Sequence, residues 1–241
     1  MKRGAANERG GVMTRGGARW LPGVLLVCAA CGVGGGSGEV TSPRLYLQDC
    51  AVREFDLQPR FFGANSYGDD LQIRIQRSSA LSESADGLAI VVRGVSAIVG
   101  DGSADGASAG GAAGAGGDGA GQLGQALEVG MPVGVWPPGV PVVYDPSPAP
   151  VNMSLYLNDS CDEQNVAIYS VSGTITFSSL FDGDITDYSA ESRLIEATFS
   201  AEFVDPRMLV PGEAPDAAVT SQVSGSFRFY YQRGQPAQPF P

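Results

Sequence analysis

Short alternations of apolar and polar residues recur along the chain and predict β-strands. The segment Leu71-Gln72-Ile73-Arg74-Ile75-Gln76 alternates strictly, which would place its apolar side chains on one face of a strand. The same alternation runs through 194–204 and 224–232. Further strands are predicted at 45–50, 55–62, 88–92, 95–99, 127–135, 154–157, 166–171 and 173–178. Because no stretch has helical periodicity, we expect an all-β fold, either a β-sandwich or a barrel-like domain.

Two segments interrupt this pattern. Residues 100–124 are almost entirely Gly, Ala, Ser and Asp, which bury too little apolar surface to fold, so a disordered loop is predicted. Residues 136–150 contain six prolines and are predicted to form an extended linker. The β-rich domain is therefore expected to span 42–241 with these two insertions.

The N-terminal region has the pattern of an export signal. Arg15 and Arg19 accompany the apolar run 20–30, whose 11 residues are too few to span a bilayer as a helix. Residues 1–30 are therefore predicted to be a signal peptide, with Met13 as an alternative start. The glycine-rich residues 31–41 are predicted to be a flexible tether.

The end of this signal carries a cysteine motif. The sequence Val27-Cys28-Ala29-Ala30-Cys31-Gly32 resembles the lipobox of bacterial lipoproteins, whose cysteine receives the lipid and becomes the first mature residue. Cys31 follows two small alanines whereas Cys28 follows a bulkier valine, so Cys31 is the predicted lipidation site. Cys28 stands where the family pattern has leucine or a similar residue. The alternative is an ordinary secretory signal cut near Ala30. In this family a residue other than aspartate after the lipidated cysteine favours the outer membrane, and Gly32 fits.

Charge and the lack of histidine narrow the classes of function. From Gly32 onward the chain has ten arginines, no lysine and 25 acidic residues, a net charge of −15. This balance argues against nucleic acid or an anionic membrane leaflet as partner. The whole chain has no histidine, which removes Ser-His-Asp and Cys-His catalysis and histidine-based zinc sites. No cofactor is expected.

The mature body contains two cysteines, Cys50 and Cys161. An even pair in an exported protein predicts a disulfide, and two buried free thiols are the alternative. Each cysteine closes a similar segment, Leu45-Tyr46-Leu47-Gln48-Asp49-Cys50 and Leu155-Tyr156-Leu157-Asn158-Asp159-Ser160-Cys161. This similarity between the two segments suggests a duplicated β unit with cysteines at equivalent edges. The alternative is a strand-to-turn pattern that occurs twice by chance.

Two aspartate-rich loops are candidate calcium sites. Asp182, Asp184 and Asp187 cluster at a predicted hairpin tip, although aspartate is also an ordinary turn residue. Residues 101–106 begin like an EF-hand loop, but Ala112 stands where the bidentate acid is required. We therefore expect no metal site, and the first cluster is the weak candidate.

Carboxylates and aromatic residues keep a hydrolase open as an alternative. A glycosidase-like carboxylate pair could come from Asp69, Asp70, Glu83, Asp86, Glu191 and Glu196. The aromatic residues that could stack on a sugar are Tyr67, Trp136, Tyr144, Tyr188, Tyr230 and Tyr231. No spacing selects a pair, so no catalytic residue is predicted.

Three further segments resemble uncharacterised predicted lipoproteins of high-GC Gram-negative bacteria: Ile73-Arg74-Ile75-Gln76, Val171-Ser172-Gly173-Thr174-Ile175-Thr176-Phe177 and Phe227-Arg228-Phe229-Tyr230-Tyr231-Gln232-Arg233-Gly234. The resemblance implies a location in the envelope and no catalytic activity. We expect a non-enzymatic lipoprotein, held by its lipid in the outer membrane or at the cell surface, with a binding or envelope-structural role. Its partner, protein or glycan, stays open. The alternatives are a histidine-free carboxylate hydrolase acting on envelope polysaccharide and a calcium-dependent adhesion or carbohydrate-binding module.

Overall fold

The computed structural model describes residues 36–78, 85–100, 121–132, 149–161, 166–182, 189–209 and 219–231. The strands of this part of the chain are β1 (Gly36–Ser42), β2 (Leu45–Tyr46), β3 (Ala51–Val52), β4 (Phe55–Leu57), β5 (Phe61–Tyr67), β6 (Asp70–Gln76), β7 (Gly87–Val92), β8 (Ala126–Gly130), β9 (Val151–Leu157), β10 (Val166–Ser179), β11 (Leu194–Val204) and β12 (Thr220–Tyr230). The helical elements described are α1 (Val95–Val99) and two single-turn 3₁₀ helices, Ala190–Ser192 and Pro206–Met208. The predicted all-β class is confirmed.

Ten of these strands form one curled sheet in the order β4-β1-β12-β11-β10-β8-β9-β7-β6-β5. Its pairings are antiparallel except that of β8 with β9, and β2 pairs with β3 in a separate ribbon. The two ends of the sheet, β4 and β5, are joined in the chain by residues 58–60 alone. The ring of Phe62 on β5 stacks on Phe229 of β12 at 5.6 Å between centroids. The sheet therefore curls into a half-barrel whose first and last strands approach each other.

The core fills the inside of this curl. The inward residues of β6, Leu71, Ile73 and Ile75, are fully buried, as their alternation predicts. Phe227 and Phe229 of β12 are buried on the same side. Each large apolar side chain buried in this way stabilises the fold by roughly 1.5–3 kcal/mol.

The curled sheet has two ends, which we name by their contents. The disulfide end carries Cys50 and Cys161, where β9 finishes and β10 begins. The entry end is the opposite one, where the described chain enters at Gly36. The registers place the start of β9, the end of β7, the start of β11 and the end of β12 at the entry end.

The strand pairings follow the same pattern twice. In the first repeat, residues 36–46 pair with residues 51–57, and β5, β6 and β7 then follow as an antiparallel meander. In the second repeat, β9 pairs with the first part of β10, and the rest of β10, β11 and β12 form the equivalent meander. The first strand of each repeat pairs with the last strand of the other, β1 with β12 and β9 with β7. This pattern supports the duplication suggested by the two Leu-Tyr-Leu segments.

The strand predicted at 95–99 is wrong, since these residues form α1. Asp69 holds the first turn of this helix, because its side chain accepts hydrogen bonds from the amide and hydroxyl of Ser96, each at 2.9 Å. Gly94 precedes the helix with a φ of 62°, a conformation that glycine adopts without strain. A run of five apolar residues cannot by itself distinguish a strand from a buried helical turn.

The tether predicted at 31–41 is too long, because residues 36–42 form β1 and pair with β12 and β4. The glycines here permit close packing, and a Cβ on Gly38 would lie 2.6 Å from the carbonyl oxygen of Ser226. The loop predicted at 100–124 is also ordered at its end, where the amide of Gln122 donates to the oxygen of Ile98 at 2.6 Å. Of the strand predicted at 45–50, only Leu45–Tyr46 is extended. Residues 101–120 and 136–148, the bulk of the two insertions, lie outside the described residues.

Candidate functional site

A polar groove lies on the outer face of the four strands β1, β12, β11 and β10 and has a volume of about 480 Å³. It is lined by the outward residues of those strands, so it lies directly behind the core. The strand registers place its side chains in two rows. The first row consists of Glu39, Ser226, Thr198 and Thr176; the second consists of Ser37, Arg228, Glu196 and Ser178.

Alternation explains why the groove is polar. Phe227 and Ala197, which separate its polar residues along β12 and β11, point into the core and are buried. With neighbouring strands about 4.8 Å apart and rows about 7 Å apart, the two rows cover an elongated patch. The groove therefore offers a long surface rather than a deep cavity.

Hydroxyl groups dominate the chemistry of the groove, together with two carboxylates and one guanidinium. Arg228 Nε lies 3.9 Å from Glu196 Oε2, and both side chains are about half exposed. An ion pair of this kind adds little stability, so both groups stay available to a ligand. Hydroxyls donate and accept hydrogen bonds, carboxylates accept them and guanidinium donates them. The groove can thus bind a polar, hydroxyl-bearing ligand without an apolar anchor.

The structure does not gather the described members of the predicted carboxylate set. Asp69 and Asp70 bind the amides at the start of α1. Asp86 is buried near the disulfide end, and Glu191 is exposed in the 3₁₀ turn at the entry end. Glu196 alone of this set lines the groove. Glu83 lies outside the described residues.

Asp86 and Asp205 are the two fully buried carboxylates among the described residues, and both are occupied by internal hydrogen bonds. Asp86 accepts from the amides of Asp159 and Ser160 at 2.8 and 3.0 Å and from the Ser160 hydroxyl at 2.5 Å. Asp205 accepts from the amide of Gln48 at 3.0 Å and from two nitrogens of the Arg207 guanidinium at 2.9 and 2.6 Å. These two aspartates hold turns and face no open cleft.

The pKa values of the Asp205–Arg207 pair follow from these contacts. Burial alone would raise the pKa of Asp205, but hydrogen bonds from Arg207 and from the Gln48 amide outweigh it and lower that pKa overall. The hydrogen bond to Asp205 raises the pKa of Arg207 in turn. Both groups are therefore charged over the whole neutral range.

A second cluster lies on the outer face of β6, β9 and β10. It contains Arg74, Tyr156 and Tyr169; burial lowers the pKa of Arg74 and raises those of both tyrosines. Ala89 and Asn152 on the same face are 5% and 4% exposed. Because this face is largely buried, it offers a ligand less access than the polar groove.

The predicted disulfide between Cys50 and Cys161 is confirmed, with the two Cα atoms 6.0 Å apart. Asp182 is exposed, whereas Asp184 and Asp187 lie outside the described residues, as do Cys31 and the signal segment. Within the described ranges no group of three or more metal-ligating side chains converges. No described helix has the length and hydrophobicity needed to cross a membrane.

The described aromatic residues of the predicted sugar-stacking set do not gather at one site. Tyr231 is buried and stacks on Phe181 at 4.4 Å between ring centroids, so it belongs to the core. Tyr67 and Tyr230 are exposed at the entry end, and neither lines the groove. Trp136, Tyr144 and Tyr188 lie outside the described residues.

Sequence reasoning missed most of the groove. Glu39 and Ser37 were assigned to a tether, and their place beside β12 depends on the pairing of distant strands. The alternation in β12 could have marked Ser226 and Arg228 as outward residues, but no local signal places them beside Glu196.

The chain was compared with protein-family models, curated proteins and solved structures. No family model matches it, no curated protein matches it, and no solved structure matches it.

Proposed function

We propose that the protein is a lipid-anchored envelope lipoprotein whose β-domain binds a glycan without catalysis. The polar groove carries this proposal, because it is an elongated and exposed row of hydroxyl and charged groups. The lipobox at Cys31 supports the anchor, and Gly32 after it favours the outer membrane.

The groove suits a glycan better than an extended peptide. A peptide that adds a strand needs a free sheet edge, but β12 and β11 are paired on both sides, and β1 lacks a second partner strand only over the four residues 36–39. A peptide that relies on side chains needs apolar pockets, and the described lining is hydroxylated or charged apart from small or core-facing residues. Sugar hydroxyls are matched by the Ser and Thr hydroxyls and by Glu39, Glu196 and Arg228.

Binding is favoured over hydrolysis by the surroundings of the carboxylates. Glu39 and Glu196 share the groove, but they lie on strands separated by β12 and in different rows. Phe227 is the aromatic residue among the described lining, and its ring is buried in the core. The net charge of −15 supports a partner other than nucleic acid.

Purified peptidoglycan tests the groove. Glu196→Gln and Arg228→Gln should weaken co-sedimentation of the protein with the glycan, because each removes a charged hydrogen-bonding group from the groove. Glu202→Gln is the matched control, since Glu202 is an exposed carboxylate on the same strand that bonds to Ser172 outside the groove. Wild-type binding by both groove variants would contradict the proposal.

Cell fractionation tests the anchor. Cys31→Ser should move the protein from the membrane to the soluble envelope fraction, whereas Cys28→Ser should leave it in the membrane fraction. Unchanged membrane association of Cys31→Ser would refute lipidation at this residue.

A further inference from the structure

We infer that the entry end of the β-domain is a membrane-contacting surface that rests on zwitterionic phospholipid. This inference rests on the proposed lipid anchor at Cys31. It adds an orientation, in which the entry end faces the bilayer and the disulfide end faces away.

The exposed apolar side chains carry the inference. Three large hydrophobic residues are exposed in the described part of the chain: Tyr67 at 64%, Leu123 at 37% and Tyr230 at 46%. All three lie at the entry end. Tyr67 ends β5, Leu123 precedes β8 beside α1, and Tyr230 ends β12.

Hydrogen bonds locate the three residues around the rim of the entry end. Asp69, two residues after Tyr67, binds α1, and Gln122, next to Leu123, donates to Ile98 of α1. Gly124 donates to Phe177 near the end of β10, two strands from β12. The three side chains are therefore distributed around one end, as contacts with a flat surface require.

The segment between Cys31 and β1 is short, so the proposed lipid would lie near the entry end. β1 begins at Gly36, so only four residues lie between its start and Cys31. The five Cα–Cα steps from Cys31 to Gly36 span at most about 17 Å when fully extended. Because the tether ends where β1 begins, a lipid on Cys31 would hold the entry end close to the bilayer.

The chemistry of the rim identifies the kind of membrane surface. Tyrosine has an apolar ring and a polar tip, and it is enriched where membrane meets water. The charged groups described at the entry end are Arg93, Arg193, Asp69, Asp70, Asp182 and Glu191. Since carboxylates outnumber arginines among them, the surface fits zwitterionic headgroups better than anionic ones.

Quenching by brominated lipid tests the orientation. The lipidated protein carrying Trp136→Phe would be reconstituted into vesicles of phosphatidylcholine and phosphatidylethanolamine with bromines near the headgroups. Tyr67→Trp, Leu123→Trp and Tyr230→Trp, introduced singly, should lose emission. Tyr46→Trp is the matched control at the disulfide end and should keep its emission.

The outcomes separate the orientation from the anchor. Protein that fails to float with the vesicles would refute the proposed lipid anchor. Protein that floats but shows no more quenching at the three rim positions than at Tyr46→Trp would refute the membrane-contacting surface alone. A folded domain is verified for each variant by its circular dichroism, and these exposed positions tolerate a larger ring.

Discussion

The two turns that follow the Leu-Tyr-Leu segments are held by buried aspartates in two different ways. The first turn, residues 48–50, gives one amide to Asp205, whose other donors belong to nearby Arg207. The second turn, residues 158–161, gives two amides and a hydroxyl to Asp86. Asp205 binds one amide of its turn and pairs with Arg207, which itself bonds the turn at Asp49. Asp86 makes three hydrogen bonds to its turn, and its arginine partner, Arg77 at 3.3 Å, lies outside that turn.

This difference shows how equivalent positions in a repeated topology can carry different interactions. The amide donors to Asp86 are 73 and 74 residues away, so this carboxylate links distant parts of the chain. Most donors to Asp205 are two residues away, and only the Gln48 amide is distant. Arg207, which pairs with Asp205, also bonds the first turn, because its Nη1 lies 3.1 Å from Asp49 Oδ2. We therefore expect Asp86 to contribute more to tertiary stability than Asp205.

The largest expected loss of stability comes from removing the disulfide between Cys50 and Cys161, which joins the two turns. The Cys50→Ala, Cys161→Ala double variant should lose about 4–5 kcal/mol of unfolding free energy, because the bond closes a segment with a separation of 111 residues. Urea unfolding would measure the loss, and the reduced wild type is the control that should match the double variant. A wild type that unfolds at the same urea concentration before and after reduction would contradict this role.

The comparison between the aspartates is tested next. Asp86→Ala should cost about 3 kcal/mol and Asp205→Ala about 2 kcal/mol, because each removes charge-assisted hydrogen bonds and the first leaves more buried donors unpaired. Urea unfolding of both variants at neutral pH gives the order. Equal losses, or a larger loss for Asp205→Ala, would show that Asp205 together with Arg207 stabilises the fold at least as much as Asp86 does.

The stability difference between the wild type and Asp205→Asn should depend on pH in the acidic range. Because its folded pKa is lowered, the charged Asp205 stabilises the fold above its unfolded pKa, near 4, and this contribution is lost as pH falls through the folded pKa. The stability gap between wild type and Asp205→Asn should therefore be constant near neutrality and shrink below about pH 4. Thermal unfolding across a pH series would measure it, and a gap that persists unchanged into acid would be inconsistent with the lowered pKa.

The smallest effect is expected at the partly exposed ion pair between Asp49 and Arg207. Asp49→Asn should cost less than about 1 kcal/mol, because the side chains of Asp49 and Arg207 are 50% and 31% exposed and water screens their attraction. The loss should fall further when salt is added. A salt-independent loss as large as that of Asp205→Ala would mean that Asp49, rather than Asp205, anchors this turn.

Much of the fold could be predicted from local pattern. The alternation in 71–76 and 194–204 corresponds to β6 and β11, and the residues that the pattern placed inside are buried in both strands; Gln76 and Val204, at the strand ends, are buried as well. The pairing of Cys50 with Cys161 followed from a count of two cysteines in the body. The strand predicted at 95–99 failed because a short apolar run has no period, and the partner of its first turn, Asp69, is distant in sequence.

The candidate site was less predictable because it depends on register. Glu196 was named as a candidate carboxylate, but its proximity to Arg228 and to Glu39 follows from the pairing of β11 with β12 and of β12 with β1. Residues 36–41 fall in the predicted tether 31–41, since glycine favours flexibility when the chain is read locally. In the fold the same glycines permit the close packing of β1.

The sequence by itself determined the strand class, the disulfide pair and the inward faces of the longest strands. It did so because side-chain alternation and cysteine number are local or compositional properties. Only the tertiary structure decided which strands are neighbours, which aspartates are buried and which outward side chains form a groove. Those features depend on contacts between residues far apart in the chain. The energies of such contacts cannot be predicted from a local sequence pattern.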